Sequence, residues 1–120
     1  MPKSREGDVG EFVAKFTGFG HNDMCSLPKL TKEAILANLK KRFVGEVVYT
    51  YVGDIIISTN PFKDVGCVGK AIRTRYKGGK EHTKLPPHVY ALVDATLRQM
   101  KENTVSQSIL ISGESVRGAL

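Results

Sequence analysis

The chain has no tryptophan and only two cysteines, Cys25 and Cys67, which lie far apart and form no C-x-x-C pair. His21, His82 and His88 are scattered and complete no four-ligand zinc set. Two free thiols in a reducing compartment are the expectation. Long apolar runs are lacking: none approaches the roughly 18–20 residues of a membrane span. The amino end, Met1-Pro2-Lys3-Ser4-Arg5-Glu6, is charged and has no apolar stretch behind it. No secretory signal is therefore expected, and the cytoplasm is the expected compartment. Internal repeats and low-complexity tracts are absent as well. Aromatic side chains are sparse, and in the most basic stretch Tyr76 stands alone. A stacking platform for single-stranded nucleic acid is thereby excluded, and no specific nucleic-acid partner is expected.

What remains is a globular composition, 41% apolar and 25% charged, in 120 residues, enough for one core. Charge is uneven. Residues 1–60 carry 8 basic and 7 acidic side chains, and residues 61–120 carry 10 and 5. The excess lies in Lys70, Arg73, Arg75, Lys77, Lys80 and Lys84, opposed only by Glu81. Such a stripe is either a solvated face or a surface that attracts anionic partners.

Residues 1–26 show little periodicity and read as an irregular lead-in ending at Leu27-Pro28; residues 27–120 are the domain part, whose assignment rests on the family resemblance given below. Thr31 is placed to cap a helix over 31–43, with Glu33 at its positive end and Gly45 as its stop. Ile35, Leu39 and Phe43 recur on one face, and Lys40, Lys41 and Arg42 fill the last turn. Two β-branched runs, 47–52 and 55–59, flank Gly53-Asp54 and predict a hairpin closed before Asn60-Pro61. The three isoleucines 55–57 predict a strand covered on both faces. A short helix is expected near 70–76. A second long helix opens at Pro86-Pro87 and runs to about 101, with Val89, Leu92, Val93, Leu97 and Met100 as its apolar stripe. Ser108-Ile109-Leu110-Ile111-Ser112 predicts a central strand.

That last strand feeds Gly113, Glu114 and Ser115, and a second glycine follows at Gly118. The spacing is that of a phosphate-binding loop, G-x-x-x-x-G-K-[ST], in which backbone N–H groups wrap the phosphates, Lys neutralises them and Ser/Thr holds Mg²⁺. Here Ala119 and Leu120 occupy the Lys and Ser/Thr positions.

In order along the chain, Asp23-Met24, Pro28-Lys29-Leu30, Leu39-Lys40-Lys41-Arg42-Phe43, Tyr49-Thr50-Tyr51, Asn60-Pro61-Phe62-Lys63, Pro86-Pro87-His88-Val89-Tyr90-Ala91-Leu92 and Ser108-Ile109-Leu110-Ile111-Ser112-Gly113-Glu114-Ser115 resemble the beginning of a myosin motor domain. The resemblance covers about residues 20–115 and is unconventional-myosin-like in its short lead. It implies an α/β fold, an incomplete P-loop NTPase-type motor fragment. Its mixed β-sheet would have an amino-terminal hairpin, two main helices and one P-loop strand. It further implies an actin-filament motor of the cytoskeleton driven by ATP with Mg²⁺. By resemblance, Asn60, Pro61 and Lys63 lie on the adenine side, and Gly113, Glu114, Ser115 and Gly118 on the phosphate side. No catalytic residue or metal ligand is carried over. The chain departs from the family at Val116-Arg117, at Ala119-Leu120, and at Val68, where the family places its purine-contacting Tyr. The match through Ser115 ends abruptly, in the manner of a shifted reading frame or an unspliced boundary. The family is an actin-activated ATPase. This chain is expected to be inactive alone, without the P-loop Lys and Thr, the switch loops or the actin-contacting regions. Two alternatives stay open: a non-catalytic module binding anionic partners through residues 70–84, and a weak nucleotide binder.

Overall fold

The computed structural model describes residues 8–14, 18–78 and 84–113. In chain order it contains α1 (Val9–Ala14), a 3₁₀ turn (Met24–Ser26), α2 (Lys32–Val44), β1 (Tyr49–Val52), β2 (Ile55–Ser58), α3 (Lys70–Tyr76) and α4 (Val89–Asn103).

α2 begins and ends where its capping residues dictate. The Thr31 hydroxyl accepts the Ala34 N–H at 3.1 Å, and the Gly45 N–H donates to the Lys41 carbonyl at 3.2 Å. Its inward face differs from the expected one. Asn38 and Arg42, one turn apart, are buried and the expected Ile35 and Leu39 are half-buried beside them, while Phe43 is 45% exposed. The reason lies in what the helix covers. Its neighbours are the 18–22 loop and β1, whose backbone groups need polar partners. Arg42, read as one of the cations of the last turn, is the largest fully buried side chain among the described residues.

Asn38 acts toward the loop as a strand neighbour would. Its Oδ1 accepts the His21 N–H at 2.7 Å, and its Nδ2 donates to the His21 carbonyl at 3.0 Å. Gly20 makes the approach possible. Its φ is +73°, and a Cβ there would lie 2.4 Å from Asn38 Oδ1. Gly20→Ala therefore combines left-handed strain with loss of a buried hydrogen bond. It is expected to lower the unfolding free energy by about 2–3 kcal/mol. A urea titration should show the midpoint falling with the slope unchanged.

β1 and β2 pair antiparallel in the register Tyr49↔Ser58 to Val52↔Ile55, and Gly53 takes φ +59° in the turn. The pairing extends past the strands, the Thr59 N–H donating to the Val48 carbonyl at 2.9 Å. On the other side the Tyr51 N–H donates to the Asn22 carbonyl at 2.8 Å, forming a parallel bridge between Asp23 and Tyr51. The Asp23 carboxylate secures that junction by accepting the N–H groups of Cys25 and Gly53, and these bonds hold it below the usual carboxylate range.

Three expectations are corrected. The described sheet has two strands, so the isoleucine run is not covered on both faces, and Ile55 is 65% exposed. Residues 108–112 form no ladder among the described residues and are exposed, with Leu110 93% accessible. A strand exists only through a neighbour, and the described residues supply none there. Third, the lead-in is not wholly irregular. α1 lies within it, and Val9 and Phe12 pack on the core.

α3 forms as expected, burying Ile72 and Tyr76. α4 starts at Val89 rather than at the prolines, because His88 caps it: its Nδ1 accepts the Tyr90 N–H at 3.0 Å. Of the expected α4 stripe, Val93, Leu97 and Met100 are 41–49% exposed. The core is made by Ile72, Tyr76, Leu85 and Ala91 on one side and by Val48, Tyr49 and Val65 on the other.

Candidate functional site

The hairpin ends in the turn that the resemblance placed beside a purine. Asn60 Oδ1 accepts the Phe62 N–H at 2.8 Å, closing an Asx turn. Pro61 presets the backbone angle, and Phe62 follows at φ 57° with its ring 84% exposed. The Lys63 ammonium pairs with Glu46, just past the end of α2. Both charges are partly solvated, so the pair orients the turn more than it stabilises the fold. Asn60 and Lys63 are exposed, Pro61 and Val68 half-buried.

Behind the turn lie two buried polar anchors that sequence reasoning missed as such. Arg42 is 1% exposed and donates to four neutral acceptors. Its Nε reaches Thr50 Oγ1 at 2.7 Å and its Nη2 the Tyr49 carbonyl at 2.8 Å. Its Nη1 reaches the Phe19 carbonyl at 3.1 Å and Asn22 Oδ1 at 3.0 Å. Desolvation pushes the guanidinium down to about 10, which leaves it charged at neutral pH. One side chain thus ties α2, the 19–22 loop and β1 together. The signal available in the sequence was the spacing of Asn38 and Arg42 on one helical face.

His88 is fully buried. Its Nδ1 caps α4, so the proton lies on Nε2, which bonds the Cys67 carbonyl at 2.6 Å. The rings of Phe12, Tyr49, Tyr76 and Tyr90 surround it at centroid distances of 4.0–5.6 Å. Burial pushes its pKa down to about 4. The same burial pushes the Tyr49 and Tyr76 hydroxyls well above their ordinary value, and Tyr76 donates to the Pro86 carbonyl. The contact between His88 and Cys67 is thus to the backbone, which gives no nucleophile–base pair.

A small cavity of about 20 Å³, lined by Arg42, Glu46, Val48, Tyr49, Val65 and Pro86 among others, has room for a single water and not for a purine. Of the residues that the resemblance places on the phosphate side, Gly113 is described: it is exposed, with open space where a Cβ would project. Glu114, Ser115 and Gly118 lie outside the described residues, as do Lys80, Glu81 and His82. Within the basic stripe Lys70, Arg73, Arg75, Lys77 and Lys84 are all exposed. Among the described residues no cluster of three metal-ligating side chains occurs and no helix is long and apolar enough to cross a membrane.

The sequence matches the profile of the family described as myosin head (motor domain) over residues 21–119. Myosin-1 of Neurospora crassa is 42% identical over 99 residues, covering 82% of this chain and 8% of that protein. Myosin-1 of Pyricularia oryzae is 41% identical over 106 residues, covering 88% of this chain and 9% of that protein. The myosin ID heavy chain of Dictyostelium discoideum is 43% identical over 99 residues, covering 82% and 9%. The chain thus spans less than a tenth of the length of these relatives.

Proposed function

Because this chain belongs to the myosin motor-domain family, we propose that it forms the amino-terminal frame of an ATP-driven actin motor, and that the 120-residue polypeptide does not itself bind or hydrolyse ATP. The observation that carries the first half is the turn at Asn60–Lys63. It follows the second strand of the hairpin, is fixed by the Asx bond and the Glu46 pair, and presents Asn60 and Lys63 to solvent. The frame behind it, anchored by Arg42 and His88, keeps that turn in place.

The second half rests on the chemistry of the phosphate side. The family match runs to residue 119, where Ala119 stands in place of the loop's Lys, with Leu120 in place of its Thr. An ammonium at close range to the terminal phosphates is worth several-fold more in a water-poor loop than in bulk water. Mg²⁺ requires a hydroxyl at the loop's end. Among the described candidates, Asn60, Lys63 and Gly113 offer one amide, one already paired ammonium and one backbone N–H, and no ligand for Mg²⁺. Actin filaments, ATP, Mg²⁺ and the cytoskeleton belong to this reading as attributes of the family's whole motor.

Calorimetric titration of the chain with Mg·ATP into the millimolar range is expected to give no saturable heat. A magnesium-dependent isotherm with micromolar affinity would overturn the proposal.

A second reading has its own support. Lys70, Arg73 and Arg75 on α3 and Lys77 just past its end are exposed, while Ile72 and Tyr76 are buried. Such a ridge suits an anionic partner, and binding through it should weaken steeply with salt.

A further inference from the structure

Among the described residues three non-glycines have a positive φ, and two of them adjoin the ion pair between Glu46 and Lys63: Glu46 itself at φ 61° and Phe62 at φ 57°. Glu46 stands just past α2. Its N–H donates to the Phe43 carbonyl at 3.0 Å, and the Val47 N–H donates to the Arg42 carbonyl at 2.8 Å. A helix that closes with this pair of bonds turns through one left-handed residue, for which glycine is the usual choice. Here the glycine comes one position earlier. Gly45 has φ −81°, and a Cβ there would lie 2.3 Å from the Phe19 ring. Its missing side chain admits Phe19 and does not supply the left-handed angle. That angle falls on a glutamate, at a steric cost.

The ion pair does not offset this cost. The Lys63 and Glu46 side chains are 60% and 37% exposed, and a pair so solvated adds little stability. What it supplies is a location. Glu46 follows one turn after the buried anchor Arg42 and lines the small cavity beside it, so its backbone is fixed by the most tightly bonded part of α2. The turn at Asn60–Lys63 lies past the end of β2 and is closed locally by the Asn60–Phe62 bond. The Glu46 carboxylate links the rigid helix end to that turn. Backbone strain kept at a pair worth little to the fold points to a positional use.

We propose that Glu46 is a positioning residue: its carboxylate, borne on the strained end of α2, holds the turn at Asn60–Lys63 in the orientation that receives the purine of a nucleoside triphosphate. The proposal rests on the reading that this turn lies on the adenine side, and its test separates the two.

The first measurement is exchange of the Phe62 amide proton with water, followed by NMR in the full chain. Glu46→Gln loses the charge and keeps the shape, and should speed that exchange about two- to fivefold, the range that loss of one solvated ion pair gives. Glu46→Gly should speed it as much, while the urea midpoint holds or rises because glycine relieves the left-handed angle. Glu46→Lys combined with Lys63→Glu should return the wild-type rate. The second measurement is ATP turnover by a chimaera in which residues 1–115 replace the first segment of a relative such as Myosin-1. There Glu46→Gly should raise KM for ATP about two- to fivefold with kcat little changed. Unchanged Phe62 exchange in Glu46→Gln overturns the proposal. So does a Glu46→Gly variant whose midpoint falls along with the faster exchange, since the residue is then merely structural. Faster exchange with an unchanged KM in an active chimaera overturns the placement of the turn beside the purine, and the role of Glu46 toward the nucleotide falls with it.

Discussion

Arg42→Met is expected to lower the unfolding free energy by about 3–5 kcal/mol, the largest effect of any single substitution considered. Methionine fills much of the same volume, so the loss is mainly of polar contacts. Four acceptors lose their donor: the Thr50 hydroxyl, the Asn22 amide and the carbonyls of Phe19 and Tyr49. Thr50 is itself 1% exposed, so water does not replace the guanidinium without opening the structure. An unmet buried acceptor costs about 1–3 kcal/mol, and total domain stability is only about 5–15 kcal/mol. Arg42→Lys keeps the charge but loses the planar fork, and should recover less than half of the loss. Chemical denaturation followed by far-ultraviolet circular dichroism reads both. A wild-type midpoint in Arg42→Met would mean that the guanidinium is a solvated cation and not the tie between α2 and β1.

Acidification should bring the second large effect, through His88. Its folded pKa is about 4, below the ordinary 6.5. Above pH 6.5 the imidazole is neutral in both states and stability is complete. As pH falls through 6.5 the unfolded chain takes up the proton while the folded chain still excludes it. Stability then drops by about 1.4 kcal/mol per pH unit until the folded pKa is reached, about 3 kcal/mol in all. The cause is geometric: Nδ1 is held by the Tyr90 N–H and Nε2 by the Cys67 carbonyl. A second proton would break the cap and leave a charge among the four rings. His88→Asn retains a capping oxygen and should remove the slope between pH 6.5 and 4.5, a window above the titration of most carboxylates. An unchanged slope in that variant would assign the acid sensitivity to another group.

Local rules made much of this fold legible before the structure was known. Thr31 and Gly45 bracket α2 because capping is a backbone requirement that few residue types meet. Gly53 closes the hairpin because that position needs a positive φ. Features that depend on distant partners were not legible. Apolar periodicity pointed to Ile35, Leu39 and Phe43, yet Asn38 and Arg42 are buried, because the loop and strand beneath α2 needed donors more than hydrocarbon. Residues 108–112 have the composition of a central strand and pair with no strand among the described residues, since composition does not supply a neighbour. The turn at residues 60–63 was singled out by resemblance, and its two fixing contacts, with Phe62 and Glu46, emerged only in three dimensions.

The central claim is that this segment is a sound frame for a motor whose phosphate grip fails at one place. Two chimaeras of a relative such as Myosin-1 test it, each with its first segment replaced by this chain. One crosses over after Ser115 and so keeps the relative's own Lys and Thr; the other crosses over after Leu120. The measurement is actin-activated ATP hydrolysis. The first is expected to turn over within about tenfold of the parent, and the second to fall by at least about a hundredfold. Equal activity in the two, or a first chimaera that folds but does not hydrolyse ATP, would contradict the account.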